Sequence, residues 1–323
     1  RCQREGRGFD PLCPLQKNVI KSKYITSIFQ KLFNNRDIRS FKNKFFYYVI
    51  FRLIRNFLKN DLIIQIYNFK VFGSIKKNKT SYFLLKKCDF GDHHELNTIK
   101  NFSIKNKILF LDCGSNYGFY SFYTSALAKE NLIISIEASK TTSEEFLKNL
   151  QLNNFRNIEF HNKAISDNDN ITISFNESEN DWESSQSHSD FKINTISNIK
   201  SVKIDTLVKT HDNLNDYKTI IKLDIEGNEM NAIQGGLKFI EKTSPIIIIE
   251  FSQYIFGIKS KVEYLKSFLL NFDYSIYSTD KEKISLNEVI MKLNQLNKKY
   301  KTIGNYYLIR NSSNNLKIFL SND

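Results

Sequence analysis

Four cysteines, three prolines, five histidines, two methionines and one tryptophan in 323 residues leave several chemistries short of material. Cys2, Cys13, Cys88 and Cys113 form no CxxC pair, which excludes a zinc knuckle or a dithiol redox motif and reads as reduced thiols. So few Pro and only eleven Gly exclude collagenous or proline-rich architecture. The longest apolar runs, such as Phe45–Phe51 and Pro245–Phe251, fall short of the roughly 18–20 residues needed to span a bilayer. The first twenty residues carry Arg1, Arg4, Glu5, Arg7 and Asp10 and no apolar stretch, so no secretory signal is read and a cytoplasmic location is expected. What is there, 41% hydrophobic and 25% charged residues, is the profile of a folded chain with a sizeable core.

Charge is unevenly placed. Lys and Arg outnumber Asp and Glu by 22 to 7 over residues 1–106, are outnumbered 14 to 21 over 107–250, and lead 11 to 6 over 251–323. The asymmetry predicts a boundary near residue 106. Residues 1–16, foreign in composition to the Lys/Asn/Ile-rich remainder, read as a disordered or non-native leader. Residues 17–106 read as a basic accessory segment. Within it Phe41–Lys59 has the spacing of a basic amphipathic helix, a surface for anionic lipid or a polyanionic substrate, or an ordinary core-covering helix. Leu62–Phe72 and Tyr82–Leu85 predict two strands of a hairpin around Lys76–Thr80. Residues 107–323 read as the main domain.

That domain opens an alternation. Ile108–Leu111, Leu132–Ile136, Ile158–Phe160, Ile220–Leu223 and Ile246–Ile249 are short β-branched-rich runs suited to strands buried on both faces. Tyr117–Ala128, Thr142–Leu152 and Asn228–Ile240 are helix candidates between them. The pattern predicts an α/β fold, a doubly wound and mostly parallel Rossmann-like sheet that binds ligands beyond the carboxyl ends of its strands.

After the first strand stands Asp112-Cys113-Gly114-Ser115-Asn116-Tyr117-Gly118: strand, glycine turn and helix start in seven residues. The spacing is not GxGxxG and no lysine follows to make a phosphate loop, which weakens nicotinamide and ATP readings. An acid before the turn repels phosphate and attracts a sulfonium or amino group. Glu137, at the end of the second strand, is placed to accept both ribose hydroxyl hydrogens of a nucleoside. A glycine turn with a carboxylate on each side suits S-adenosylmethionine.

The fourth strand leads into Lys222-Leu223-Asp224-Ile225-Glu226-Gly227-Asn228-Glu229. Asp224, Glu226 and Glu229 crowd one strand-to-helix junction, an arrangement that asks for a shared cation, donor or proton. As function, they orient the methionine amino group, position an acceptor hydroxyl and take its proton. As structure alone, Glu226 and Glu229 are first-turn acids favoured by the helix dipole.

Taken together, Asp112-x-Gly114-x-Asn116-x-Gly118, Glu137, the Val202–Leu207 run with Asp205, Lys222-x-Asp224-x-Glu226-Gly227-x-Glu229, Gly235 and Pro245–Glu250 resemble FkbM-type S-adenosylmethionine-dependent methyltransferases over residues 90–251. Ser115, Ala138 and Asn228 depart from that family's usual alanine, proline and alanine. The resemblance implies cofactor binding by the first motif and the acid after the second strand, and O-methylation of a sugar or polyketide hydroxyl. The expected cofactor-binding set is Asp112, Cys113, Gly114, Ser115, Asn116, Gly118, Glu137, Ala138 and Ala164.

Asp92-His93-His94-Glu95 has metal-ligand residue types, but adjacent ligands point apart, and no metal is expected. His188, in a polar loop with Trp182, is a fourth candidate base beside the three carboxylates. The expected partner is a hydroxyl-bearing glycan or small molecule, anionic ones included, with membrane-surface contact through the basic flank. An RNA ribose methyltransferase that uses the same flank for phosphate contacts, or a non-catalytic peripheral membrane protein of the same fold, are the alternatives.

Overall fold

Ile108–Cys113 is buried along its whole length, as a parallel strand covered by helices on both faces must be. It lies inside a sheet described in a computed structural model. Residues 62–73, 91–178, 193–211, 214–296 and 302–321 are described. By contacts the chain divides into one unit of residues 1–65 and 72–88 and another of residues 66–71 and 89–323.

The first elements are β1 (Leu62–Ile66), β2 (Phe69–Gly73), α1 (His93–Lys105), β3 (Ile108–Cys113), α2 (Phe119–Leu127), β4 (Leu132–Glu137), α3 (Lys140–Gln151) and β5 (Ile158–Asn162). Then come β6 (Ala164–Ile165), β7 (Thr172–Ser178), β8 (Ile193–Val202), α4 (Ile204–Val208), β9 (Lys218–Leu223), α5 (Glu229–Gly235), α6 (Leu237–Thr243) and β10 (Ile246–Ser252). The last are α7 (Gln253–Phe256), α8 (Lys259–Asn271), β11 (Tyr274–Tyr277), β12 (Lys283–Ile284), α9 (Leu286–Asn294), β13 (Thr302–Arg310) and α10 (Asn314–Leu320).

Among the described residues eight strands make one sheet in the order β12-β11-β13-β10-β9-β3-β4-β5. β3, β4, β5, β9 and β10 are parallel, and β13 is antiparallel to both β10 and β11. The chain runs outward from β3 through β4 to β5 and then returns to β9 on the other side of β3. The crevice for a ligand therefore lies at the carboxyl ends of β3 and β9. The doubly wound sheet is the one the alternation predicts; β6, β8 and β7 form a smaller sheet, and β1 and β2 a two-stranded one.

Period-two alternation gives the sheet two chemically distinct faces. Leu109, Leu111 and Cys113 of β3, Ile221 and Leu223 of β9 and Ile247 and Ile249 of β10 join one apolar core with Met230, Ile233, Phe239, Ile240, Leu265 and Phe268 of the helices. The alternate residues begin equally apolar with Ile108, Phe110, Ile133, Ile220 and Ile248 and turn polar toward the carboxyl ends, as Asp112, Ser135, Glu137, Lys222 and Glu250. On this side Tyr120 of α2 stacks on Phe110, and Thr98 of α1 shares a hydrogen bond with Tyr307 of β13.

Two expectations are corrected. Leu62–Phe72 is not one strand: a tight turn at Tyr67, with φ 45°, and Asn68 divides it into β1 and β2. The helix expected over Asn228–Ile240 is two helices meeting at Gly235-Gly236, and Asp205 caps the second by accepting from the amide of Phe239 at 2.9 Å. Residue 106, the expected boundary, is the C-cap of α1 in the same unit as the sheet. The leader, the Phe41–Lys59 segment and Tyr82–Leu85 lie outside the described residues. Among the described residues no helix is long and apolar enough to cross a membrane.

Phe122 is fully buried, with ring centroids 5.9 Å from Phe69, 5.1 Å from Phe146 and 5.9 Å from Phe155. Phe122→Ala is expected to destabilise the protein by about 3–5 kcal/mol in denaturant unfolding. Leu270→Ala, at a side chain 73% exposed, should change stability by less than about 0.5 kcal/mol.

Candidate active site

The turn after β3 is shaped by backbone approach. A Cβ on Gly114, whose φ is +85°, would collide with the Asp224 carbonyl oxygen at the end of β9. Only glycine lets two adjacent strand ends close in this way. The amides of Gly114 and Ser115 both donate to the Ile136 carbonyl, each at 2.9 Å, which ties the turn to β4 on the other side. Gly118, at φ +89°, opens α2, and a Cβ there would stand 2.6 Å from the Phe122 ring.

Glu137 closes this side of the turn. Its Oε2 accepts from the Asn116 amide at 2.9 Å and its Oε1 from the Ser139 amide at 2.8 Å. Burial nonetheless pushes its pKa up to about 7, against those two hydrogen bonds. Each oxygen keeps a second lone pair for a further donor. Ser115 Oγ, in the same turn, is buried without a hydrogen-bond partner. An acceptor-rich carboxylate, a buried hydroxyl lacking a partner and a glycine turn fit a nucleoside whose ribose donates to Glu137, and so fit S-adenosylmethionine.

Beneath the turn runs a buried charge network. Asp112, 1% exposed, accepts from Ser121 Oγ at 2.5 Å, and Ser121 shares a second bond with Ser135 at 2.7 Å. Its register partner on β9 is Lys222, 4% exposed, whose ammonium pairs with Asp224 at 2.7 Å and lies 4.8 Å from the centre of the Tyr120 ring. Tyr120 in turn donates to Asp92 at 2.8 Å. Burial raises the Asp112 pKa against the pull of Lys222 and Ser121. Burial opposes the Lys222 charge as well, but Asp224 and Asp112 outweigh it and hold the ammonium above the ordinary lysine range. Asp112, expected to attract a sulfonium or amino group, has its carboxylate on Ser121 Oγ and stands level with Lys222, beneath the turn.

The three clustered carboxylates part company. Asp224 keeps a side chain 39% exposed. Glu226, half-buried, takes φ 52° in the tight turn with Gly227. Glu229, 1% exposed, turns back: its Oε1 accepts from the amides of Ile225 at 3.2 Å and Gly227 at 3.1 Å, and burial pushes its pKa to about 7. It clamps the loop that carries Asp224, together with Lys261, which donates to the Gly227 carbonyl at 2.6 Å.

Of the other expected residues, Cys113 is buried on the opposite sheet face and burial pushes its thiol up. Ala138 follows Glu137, and Asn162 donates to the carbonyls of both. Ala164 is buried in β6, paired with Ser201 of the smaller sheet. His188 lies outside the described residues. The Asp92–Glu95 run caps and opens α1, where Glu95 is buried and bonded to Asn305 of β13.

Two residues were not singled out from the sequence as site residues. Lys222 was read only as part of a motif. Glu250 was read only as the last residue of the Pro245–Glu250 run in the family resemblance. Strand alternation locates both: Ile248 is level with Lys222, so Glu250 stands level with Asp224 on the same face.

Two outcomes follow from this geometry. Gly114→Val should unseat the turn and lower S-adenosylmethionine affinity by at least about tenfold in calorimetry, because a strand end must move. Glu137, Glu229 and Glu250 all have folded-state pKa values raised to about 7 from an ordinary 4.5. The folded chain therefore holds their protons longer than the unfolded chain, so this stabilisation is complete below about pH 4.5 and lost as pH rises through 7. The melting temperature of the cofactor-free protein should fall from pH 5 to pH 7.5, less steeply in Glu229→Gln.

A family model, the methyltransferase FkbM domain, matches residues 112–276, just over half of the chain and starting at Asp112. Solved structures of similar fold include a methyltransferase FkbM from Methylobacillus flagellatus KT, 19% identical, with a TM-score of 0.38. That match covers 62% of this chain and 43% of the other, so the chain spans less than half of that relative's length. A putative rRNA methylase from Clostridium thermocellum is 11% identical over 68% of this chain and 93% of its own, with a TM-score of 0.38. TYW2 from M. jannaschii, solved in complex with AdoMet, is 12% identical over 77% and 84%, with a TM-score of 0.36. No curated protein matches the chain. The family match begins at the acid that braces the glycine turn and runs through the loop of Asp224, Glu226 and Glu229, and the chain belongs to the FkbM family of S-adenosylmethionine-dependent methyltransferases.

Proposed function

We propose that the protein is an O-methyltransferase that methylates a hydroxyl of a sugar, a glycan or a related small molecule. The observation that carries this reading is Asp224: a partly exposed carboxylate at the end of β9, beside the glycine turn, held by a buried lysine at 2.7 Å. When bound, S-adenosylmethionine supplies a methyl group already activated on a sulfonium. The protein then has to align an acceptor oxygen and receive a proton, and no nucleophile of its own is required.

In this reading Glu137 accepts from the ribose hydroxyls while Asn116 and Ser139 hold its two oxygens in place. Asp224 accepts a hydrogen bond from the acceptor hydroxyl. Lys222 holds Asp224 in place through their 2.7 Å contact, and Tyr120 and Asp112 stand beside the lysine. The carboxylate-rich strand ends favour an uncharged or cationic group at the reacting position. The positive charge of residues 17–106 suits anionic parts of the acceptor, or of a surface that presents it.

Glu137→Ala should weaken S-adenosylmethionine binding by about tenfold to a hundredfold, the loss of charge-assisted hydrogen bonds. Asp224→Asn should keep cofactor affinity and lower turnover by about 10²-fold or more. The acceptor class is read by incubating the protein and tritiated S-adenosylmethionine with polysaccharide, small-polyol and RNA fractions, then treating the product with mild alkali. An alkali-stable label in a glycan or polyol is expected. Label confined to RNA would replace this reading with ribose methylation.

A further inference from the structure

Glu250 has no part in binding the nucleoside and was not marked by any sequence motif for catalysis, yet its placement is particular. β10 is parallel to β9 with Ile248 level with Lys222 and Ile249 with Leu223. One step further, Glu250 comes level with Asp224, at the carboxyl end of the sheet and on the polar face. On its other side β13 places Asn305 opposite it, and Thr302, whose hydroxyl donates to the neighbouring Phe251 carbonyl at 3.1 Å, lies beside its carboxylate. It is half-buried, at the end of a strand whose preceding residues Ile246–Ile249 are wholly buried.

The charged groups facing it differ from those facing Asp224. Asp224 has the Lys222 ammonium in direct contact; Glu250 feels that lysine at longer range, with Asp224 and Glu229 as like-charged neighbours. From α1, Glu95 bonds to the same Asn305 that pairs with Glu250, and Asp92 takes the Tyr120 hydroxyl. The two adjacent carboxylates therefore stand in unlike surroundings, Asp224 in direct contact with a buried ammonium and Glu250 without one.

We propose that Glu250 is the proton acceptor of the methyl transfer, with Asp224 orienting the hydroxyl that gives the proton up. The inference rests on the O-methyltransferase reading above. The acceptor oxygen forms its bond to the methyl carbon with its own lone pair, the carbon–sulfur pair stays on sulfur as the sulfonium becomes a thioether, and the hydroxyl proton passes to the Glu250 carboxylate and then to water. Burial, and after it Asp224, brings the pKa of Glu250 up to about 7, where a base is most effective near neutral pH.

A test that needs no acceptor uses the charge that distinguishes S-adenosylmethionine from S-adenosylhomocysteine. A sulfonium beside Glu250 favours its ionised form, so S-adenosylmethionine affinity should rise relative to S-adenosylhomocysteine affinity as pH increases through about 7. Effects at Glu137 cancel in that ratio, because both molecules carry the same ribose. Calorimetry on the full chain from pH 6 to 8 should show the ratio rising about tenfold, one unit of pKa displacement. In Glu250→Gln the ratio should be flat, with S-adenosylhomocysteine affinity within about threefold of the parent. Glu250→Asp should retain a step with a displaced midpoint, which reads the same site if the glutamine variant does not fold. A flat ratio in the parent, or an undisplaced step in either variant, overturns the assignment of Glu250 and leaves the methyltransferase reading intact. Failure of both molecules to bind would instead count against that reading.

Discussion

A lysine ammonium buried between two carboxylates is the interaction on which the site depends. Removing Lys222 and Asp112 from water is expensive singly; the lysine is held by its contact with the partly exposed Asp224 and by the nearby Asp112, and Asp112 by Ser121 and the lysine. Because Asp112 and Lys222 are register partners on neighbouring parallel strands, the pairing also locks β3 to β9 at the point where the sheet order reverses. Gly114 sits directly above and admits the Asp224 carbonyl where any side chain would exclude it. Strand register, the glycine turn and the orientation of Asp224 are thus one constraint seen from three sides.

The second consequence concerns acidity. Glu137, Glu229 and Glu250 close the same end of the sheet, each with its pKa pushed up to about 7 chiefly by burial. They are destabilising when ionised in the cofactor-free chain, and a sulfonium with two ribose hydroxyls is the kind of ligand that relieves them. The loop from Asp224 to Glu229 divides its acids by direction: Glu229 caps its own backbone amides, and Asp224 is left facing outward. A functional cluster in the sequence is a clamp plus a working group in the structure.

Much of the sheet was legible because β3, β4, β9 and β10 are β-branched runs bounded by turn residues, and the spacing from Asp112 to Gly118 and on to Glu137 leaves few other folds. Three things were hidden. The break at Gly235-Gly236 depends on Asp205 capping α6 from over thirty residues away, a long-range bond that helical periodicity cannot register. The direction of Asp112 depends on Ser121, one turn and part of a helix further on, and on Lys222 of another strand, neither of which the motif spacing marks. Glu250 was masked by the apolar run before it, although alternation along β10, with Lys222 as reference, places it on the polar face. Tyr274–Tyr277 and Thr302–Arg310, which complete the sheet beyond β10, lack the alternating strand-and-helix rhythm that identified the rest, since β13 enters antiparallel between its neighbours.

The central claim is that the turn of residues 112–118 and Glu137 hold the nucleoside while the sulfur lies toward the ends of β9 and β10. A crystal structure of the protein with S-adenosylhomocysteine tests it most directly. The account predicts both ribose hydroxyls within hydrogen-bond distance of the Glu137 carboxylate and the sulfur on the side of Asp224 and Glu250. A ribose bound elsewhere, or a sulfur directed away from those two strand ends, would contradict it.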